Sequence, residues 1–191
     1  MISGRSPDRR RSLLDAADRV ILRDGHEVSM AAIAAEAGIT KPILYRHFGD
    51  KSGLYEALAD RHVRTVLGLL RPELARPGSS LRERTREAIG VYLGLISANH
   101  TLYRFLFHRA GAEDPRTRSH MSALVRGLGE ELAALLAAEG VVADPVRAQV
   151  LGHAFVGMVQ TTGDWWLDHQ EVERTAVAEA LSAAIAAALP A

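Results

Sequence analysis

The sequence contains no cysteine. Its absence excludes a disulfide framework, a cysteine nucleophile and every thiolate metal site. Long apolar runs are also absent, because the longest two, 132–138 and 183–189, are far too short to span a bilayer. The basic N-terminus is not followed by an apolar stretch that would make a signal peptide. We therefore expect a cytoplasmic protein that makes no membrane contact.

An excess of charge of either sign is missing as well. The 23 basic residues balance 23 acidic ones, so no overall basic field attracts the chain to nucleic acid. Lysine is rare. The only two, Lys41 and Lys51, lie in one short segment. What the chain does have is 48% hydrophobic residues over 191 positions. That is enough for one domain with a sizeable core or for two small ones.

Patterns for catalysis or metal binding are missing too. The sequence has no HExxH, GxSxG, Walker or GxGxxG motif. A small hydrolase would have to use the cluster of Asp164, Asp168 and His169, but carboxylates four residues apart usually form a solvated helix face. No two of the 8 histidines have metal-ligand spacing on one face. We expect no enzyme activity, no catalytic residues, no cofactor and no metal site.

Helical signals run from one end of the chain to the other. No segment alternates apolar and polar residues in the manner of a half-buried strand. Capping signatures predict helix starts after Ser29, Thr40, Ser80 and Asp144. The prolines and glycine of 72–78 predict a loop. The pattern as a whole predicts an all-α fold of about nine helices.

Residues 29–51 carry the most specific pattern. Two short helices meet there at a turn with Gly38, which is the helix-turn-helix arrangement. The second helix is too short to be stable alone and has to be held by its neighbours. The small core beneath the turn is expected to contain Ile33, Leu44 and Phe48.

Four residues of the second helix share one face because they follow i, i+1, i+4, i+5 spacing. They are Lys41, Pro42, Tyr45 and Arg46. The face begins at the helix N-terminus, the end that helix-turn-helix proteins place against base edges in the major groove. Polar donors at its margins suit phosphate oxygens. These donors are Thr40, Tyr45, His47 and Lys51.

Each of these side chains also has a purely structural interpretation. Tyr45 could pack in a core, His47 could be an ordinary surface histidine, and Lys51 could be a solvated charge. A cation is disfavoured at a helix N-terminus, however, so the position of Lys51 favours a phosphate contact. The basic run Arg9–Arg11, with Arg5, could be an arm that reaches the minor groove or a solubilising end.

The stretch 40–48, TKPILYRHF, followed by Lys51, Leu54 and Leu58, resembles the TetR family of bacterial transcriptional regulators. Gly25 and residues 31–38 fit as well, and the match is specific over about residues 8–60. The resemblance implies DNA contacts at Thr40, Lys41, Pro42, Ile43, Tyr45, His47 and Lys51, and a phosphate contact at Ser29. The outward positions of the first helix of the motif are mostly alanine here, so binding is expected to depend more on the second helix and the N-terminal arm.

The resemblance also implies the organisation of the chain. It predicts a three-helix DNA-binding module, assigned to residues 1–52, and a helical ligand-binding and dimerisation domain over 53–191. The last two helices would form the homodimer interface. An apolar stripe on the final helix suits such an interface. The stripe contains Val177, Leu181, Ile185 and Leu189.

The second half contains a helix, 146–167, that is interrupted by three glycines and holds both tryptophans. Each glycine costs roughly 1 kcal/mol of helix propensity, which close helix packing or room for a ligand would explain. A pocket between helices is typically apolar with a few polar groups, which favours a lipophilic effector with one polar end. The candidate lining residues, each with core packing as the alternative, are Tyr92, Ile96, His100, Tyr103, Phe107, Met121, Leu124, His153, Thr161 and Trp165.

These observations predict a sequence-specific DNA-binding transcriptional regulator. We expect a homodimeric repressor that binds a double-stranded palindromic operator and that a small lipophilic effector releases. The alternative from another class is a helical protein that binds or sequesters a small molecule without regulating DNA. Loss of specific DNA binding in Tyr45→Ala and Lys51→Ala, with ligand binding intact, would discriminate between the two.

Overall fold

The computed structural model describes residues 5–189, which form helices and turns without a strand. The α-helices are α1 (Arg5–Asp24), α2 (Met30–Glu36), α3 (Lys41–Phe48), α4 (Lys51–Leu74), α5 (Leu81–Ala98), α6 (His100–Arg104), α7 (Gly111–Glu113), α8 (Pro115–Ala138), α9 (Pro145–Leu167) and α10 (Arg174–Ala188). A 3₁₀ turn, Gly25–Glu27, follows α1, and a π-helical turn, Phe105–Ala110, joins α6 to α7 without a break. Because α6, the π-helical turn and α7 form one continuous helical segment, the described residues contain nine helical segments. The predicted all-α class is confirmed.

Three predicted helix starts are confirmed by their hydrogen bonds, whereas the cap predicted at Thr40 forms no side-chain hydrogen bond. The Ser29 hydroxyl accepts from the backbone N–H of Ala32 at 3.1 Å and begins α2. The Glu83 carboxylate accepts from the backbone N–H of Ser80 at 2.8 Å, which completes a capping box at α5. The Asp144 carboxylate accepts from the N–H of Val146 at 2.9 Å and begins α9.

One local prediction was wrong. Pro72 lies inside α4 rather than in the loop, near the helix C-terminus. The difference arises because a helix propagates through neighbouring residues once its apolar face is packed, and a local breaker does not then decide its end. Arg9–Arg11 lie within α1 with exposed side chains, so the minor-groove arm and the solubilising end both remain open. The side chain of Arg5 lies outside the described residues.

The described chain divides into two compact units. The first contains residues 5–62 and 99–121. Its core is apolar and continuous, and it joins α1–α4 to the segment of α6 and the π-helical turn. The predicted core of the helix-turn-helix is confirmed, because Ile33, Leu44 and Phe48 are all buried in it. This unit holds every residue of the candidate DNA-binding set.

The second unit contains residues 63–98 and 122–189, and α10 packs along α5 within it. Here the structure corrects an expectation about the final helix. Val177, Leu181 and Ile185 are buried in their own chain, so they stabilise this unit instead of offering a free apolar stripe. The opposite side of α10 is exposed and smooth. It presents Ala176, Ala180, Ala184 and Ala187.

Close crossing of α8 and α9 explains a glycine of α9. A Cβ added at Gly152 would lie 2.8 Å from the backbone nitrogen of Ala133 and would also overlap the carbonyl oxygen of Gly129. Only a residue without a side chain allows the two helix backbones to approach in this way. Gly152 therefore serves helix packing within one chain.

Candidate nucleic-acid interface

The helix-turn-helix is fixed by a tight turn between α2 and α3. Gly38 has a φ of 64°, and the backbone N–H of Ile39 donates to the carbonyl of Ala34 at 2.9 Å. Leu44 has no exposed surface and Phe48 has little, so both side chains point into the core of the unit. The opposite face of α3 is thereby held outward.

The outward face of α3 contains the four residues that the spacing placed there. Lys41, Pro42 and Arg46 are exposed, and Tyr45 is 37% exposed although it is a large aromatic residue. Exposure of the ring removes the core interpretation of Tyr45. At the margins of this face, Thr40 is exposed, while Ile43 and His47 are half-buried.

The hydroxyl groups of Ser29, before α2, and Thr40, before α3, differ in their hydrogen bonds. Ser29 already accepts a hydrogen bond from its own helix and keeps its O–H as a donor. Thr40 stands at the N-cap position of α3 without forming a side-chain cap. Both residues are exposed, so both present a hydroxyl donor of the kind that phosphate oxygens accept.

The junction between α3 and α4 is very compact. Gly49 ends α3 with a φ of 80°, and the Asp50 carboxylate accepts from the N–H of Gly53 at 2.7 Å. A Cβ at Gly53 would overlap the carbonyl oxygen of Phe48 and lie 3.2 Å from its carbonyl carbon. This close approach sets the position of Lys51, two residues earlier, relative to α3.

Lys51 lies in the first turn of α4 and is bound to a distant acidic residue. Its Nζ is 2.9 Å from Oε2 of Glu113 and 5.4 Å from the centre of the Tyr55 ring. The Glu113 carboxylate raises the pKa of Lys51 above its usual range, and Lys51 in turn lowers the pKa of Glu113. Arg109 also binds Glu113, at 2.8 Å. Lys51 is therefore not a simple solvated charge.

A second ion pair neutralises the acidic residue beside Lys51. The Arg116 guanidinium donates to Oδ2 of Asp50 at 2.9 Å and lies 2.7 Å from Glu56. The acidic group nearest in sequence to Lys51 is thus paired. Glu113 and Arg116 were not identified from the sequence, because each lies at least 60 residues from its partners within residues 50–56 and no local pattern links them.

Further contacts brace the module from α1. Arg19 and Arg23 bind Glu36 of α2 at 2.7 and 3.0 Å. The guanidinium of Arg10 lies 4.8 Å from the centre of the Phe48 ring, at the end of α3. Part of the basic N-terminal run therefore contacts the end of α3.

The candidate ligand-binding residues are divided between the two units. In the first unit, Tyr103 stacks on Phe107 with ring centres 4.7 Å apart, and Met121 is buried. His100 is exposed and accepts a hydrogen bond from Nε of Arg104 at 2.6 Å. Within this unit the structure brings together an aromatic pair.

In the second unit, two candidates on α5 meet one glycine of α9. A Cβ at Gly163 would lie 3.0 Å from Ile96 and 3.1 Å from Tyr92. Gly163 thus supports close packing against these two residues. Of the other candidates in this unit, Leu124 is half-buried. The remaining three are exposed, namely His153, Thr161 and Trp165.

The two tryptophans of α9 have different surroundings. Trp166 is buried and its indole N–H donates to the carbonyl of Val172 at 2.8 Å. Trp165 is 46% exposed and stacks on His169 with ring centres 4.7 Å apart. Trp165 shares the exposed side of α9 with Val146 and Val150, which are 71% and 62% exposed. This side of α9 is thus apolar and open.

Among the side chains that the structure describes, no group of three or more histidine, aspartate or glutamate residues is arranged to hold a metal ion. No helix within residues 5–189 is sufficiently long and apolar to cross a membrane.

Comparison with known proteins covers both parts of the chain. A family profile described as bacterial regulatory proteins, tetR family, matches residues 13–58. A second, described as tetracyclin repressor-like, C-terminal domain, matches residues 69–191. The transcriptional activator FasR of Mycolicibacterium smegmatis is 28% identical over 163 residues, which are 85% of this chain and 74% of that protein.

Solved structures give the same result. A TetR-like transcriptional regulator from Rhodococcus sp. RHA1 is 31% identical with a TM-score of 0.64, and the match covers 93% of each chain. FadR from Bacillus subtilis, solved in complex with stearoyl-CoA, shares the fold with a TM-score of 0.73 at 16% identity, over 92% of this chain and 96% of that one. The chain belongs to the TetR family of DNA-binding bacterial transcriptional regulators.

Proposed function

We propose that this regulator is a homodimeric repressor that binds a palindromic operator and that a small lipophilic effector releases. The observation that carries the proposal is the outward face of α3, where Lys41, Tyr45 and Arg46 are exposed above a buried Leu44. In this proposal, Lys41, Pro42, Ile43, Tyr45 and Arg46 meet base edges, while Ser29, Thr40, His47 and Lys51 meet phosphates. Residues 1–52 then form the DNA-binding domain.

Residues 53–191 form the ligand-binding and dimerisation domain in this proposal. The exposed apolar side of α9 and the exposed alanines of α10 support a dimer through these two helices, which contact each other. Alanine allows helices of two subunits to approach closely, and Val150 would provide apolar area at the same interface. The two-fold symmetry of a dimer bound to a palindromic operator would place two α3 helices in successive major grooves, about 34–36 Å apart.

The effector is the least constrained part of the proposal. The bound stearoyl-CoA of the Bacillus subtilis FadR supports a ligand with a long apolar chain, because that protein shares this fold. The stacked rings of Tyr103 and Phe107 offer apolar surface in the first unit, and Tyr92 and Ile96 beside Gly163 offer it in the second. By linkage, an effector that weakens DNA binding must itself bind less tightly to the DNA-bound dimer, by the same factor.

The experiment that tests this function is selection of genomic DNA fragments by the purified protein, read by sequencing. The matched control is Tyr45→Ala, which removes an exposed ring without disturbing a buried side chain. We expect enrichment of an inverted repeat by the wild type and its loss in the variant. Equal enrichment by both proteins, or none, would overturn the assigned interface.

The direction of regulation needs its own measurement, since the relative FasR is described as an activator. We expect a reporter behind the recovered operator to be expressed less when the regulator is present. Addition of long-chain acyl-CoA should restore expression if the effector proposal is correct. Higher expression in the presence of the regulator would show that it is an activator and not a repressor. The proposed DNA interface would not be affected by that result.

A further inference from the structure

The contact between Lys51 and Glu113 is a candidate for controlling DNA affinity. It joins the first turn of α4 to α7 at 2.9 Å, within one compact unit. An ammonium group has only three donors and one charge, so an anion already bound to it reduces what it can give to a phosphate. In free protein, Glu113 therefore occupies the group that the proposed function assigns to the DNA backbone.

Exchange of the partners of Lys51 is sterically and electrostatically feasible. Lys51 is exposed and its ammonium is carried on a flexible four-carbon stem. Glu113 binds Lys51 through Oε2 and Arg109 through Oε1, the latter at 2.8 Å. When Lys51 moves to a phosphate, Glu113 keeps Arg109, so no carboxylate is left unpaired.

We propose that Glu113 is an affinity-setting residue that competes with a DNA phosphate for the ammonium group of Lys51. The inference rests on the proposed phosphate contact of Lys51. Glu113 holds Lys51 in the free protein, and on DNA the phosphate replaces it while Arg109 retains Glu113. Arg109 lies in the π-helical turn, one helical turn before Glu113.

A double-mutant cycle tests the proposal. Affinity for a duplex recovered by the fragment selection is measured for wild type, Glu113→Gln, Lys51→Ala and the double variant, all at about 100 mM salt, where phosphate contacts dominate. Glu113→Gln keeps the shape of the side chain and should tighten binding about two- to fivefold, the range for a partly exposed ion pair. Lys51→Ala should weaken binding. In the Lys51→Ala background, Glu113→Gln should have no effect beyond the general effect of losing one negative charge.

The control is Glu36→Gln, which removes the same charge from the same unit at a residue bound to Arg19 and Arg23. Its change in affinity measures the general effect of losing one negative charge. Equal gains in Glu36→Gln and Glu113→Gln would overturn the competition while the DNA interface stands. So would a gain of Glu113→Gln that exceeds that of Glu36→Gln and persists without Lys51. If Lys51→Ala binds DNA as the wild type does, the proposed phosphate contact itself fails.

Discussion

At the scale of single residues, Gly53 is the tightest point between the recognition helix and α4. Gly53→Ala would force a Cβ against the backbone of Phe48, and neither group can move without shifting a helix. We expect a loss of about 1–3 kcal/mol in the free energy of unfolding, as for other overpacked sites. Urea denaturation followed by circular dichroism measures it.

Gly68→Ala is the matched control, because it lies on the same helix and its Cβ would meet nothing within 4 Å. That variant should gain up to about 1 kcal/mol from helix propensity. A Gly53→Ala protein as stable as Gly68→Ala would mean that the α3–α4 junction tolerates expansion.

Asp114 is the residue for which pH dependence is expected. Hydrogen bonds from Thr117 and Ser52 lower the pKa of Asp114 to about 2, and its carboxylate accepts from the N–H of Thr117 at 2.7 Å. A carboxylate whose pKa is lower in the folded state stabilises the fold above its ordinary pKa of 3.8 and loses that effect as the pH falls to about 2.

Asp114→Ala should therefore lower the urea midpoint at pH 7, and its difference from wild type should shrink between about pH 4 and pH 2. Asp114→Asn keeps an acceptor for the helix start and should retain more of the stability, without this pH dependence. A difference between Asp114→Ala and wild type that is constant over the same range would contradict the assigned role of the charge.

At the scale of elements, what the sequence predicted was local. The starts of α2, α5 and α9 and the outward face of α3 follow from residues three or four positions apart, so short patterns identify them. The partners of Lys51 and Asp50 could not be predicted, because loop closure over more than 60 residues leaves no local pattern. For the same reason the α5-facing side of α10 was mistaken for a free stripe.

The two lysines of the DNA-facing segment should have separable effects. Lys41 is exposed on the outward face of α3, whereas Lys51 lies at the start of α4. Lys41→Ala should relax the preference at one base position, where a base contact is worth about 1–3 kcal/mol of discrimination. Lys51→Ala should weaken all sequences alike and reduce the slope of log affinity against log salt by about one.

Binding of a set of single-substitution duplexes at several salt concentrations distinguishes these two roles. Each lysine serves as the control for the other, since both substitutions remove one charge. Uniform loss across all duplexes in Lys41→Ala would move that residue from the base-contacting group to the phosphate-contacting group.

At the scale of the whole molecule, the open apolar side of α9 is the dimer interface that we propose, and one substitution there tests it. Val150 is 62% exposed in one chain, a large apolar exposure that a second copy would cover. Val150→Glu places a charge in the proposed interface and should give a monomer by analytical ultracentrifugation. The same variant should lose most of its affinity for an inverted repeat, because a monomer binds only one half-site.

The control for this substitution is Leu69→Glu on α4, which replaces another exposed apolar residue, at 46% exposure, outside α9 and α10. Leu69→Glu should keep the mass and the operator affinity of the wild type. If Val150→Glu also keeps the wild-type mass, the exposed side of α9 is not the dimer interface. If it becomes monomeric yet binds the inverted repeat with unchanged affinity, the operator is not read by a two-fold dimer, and the spacing of about 34–36 Å loses its basis.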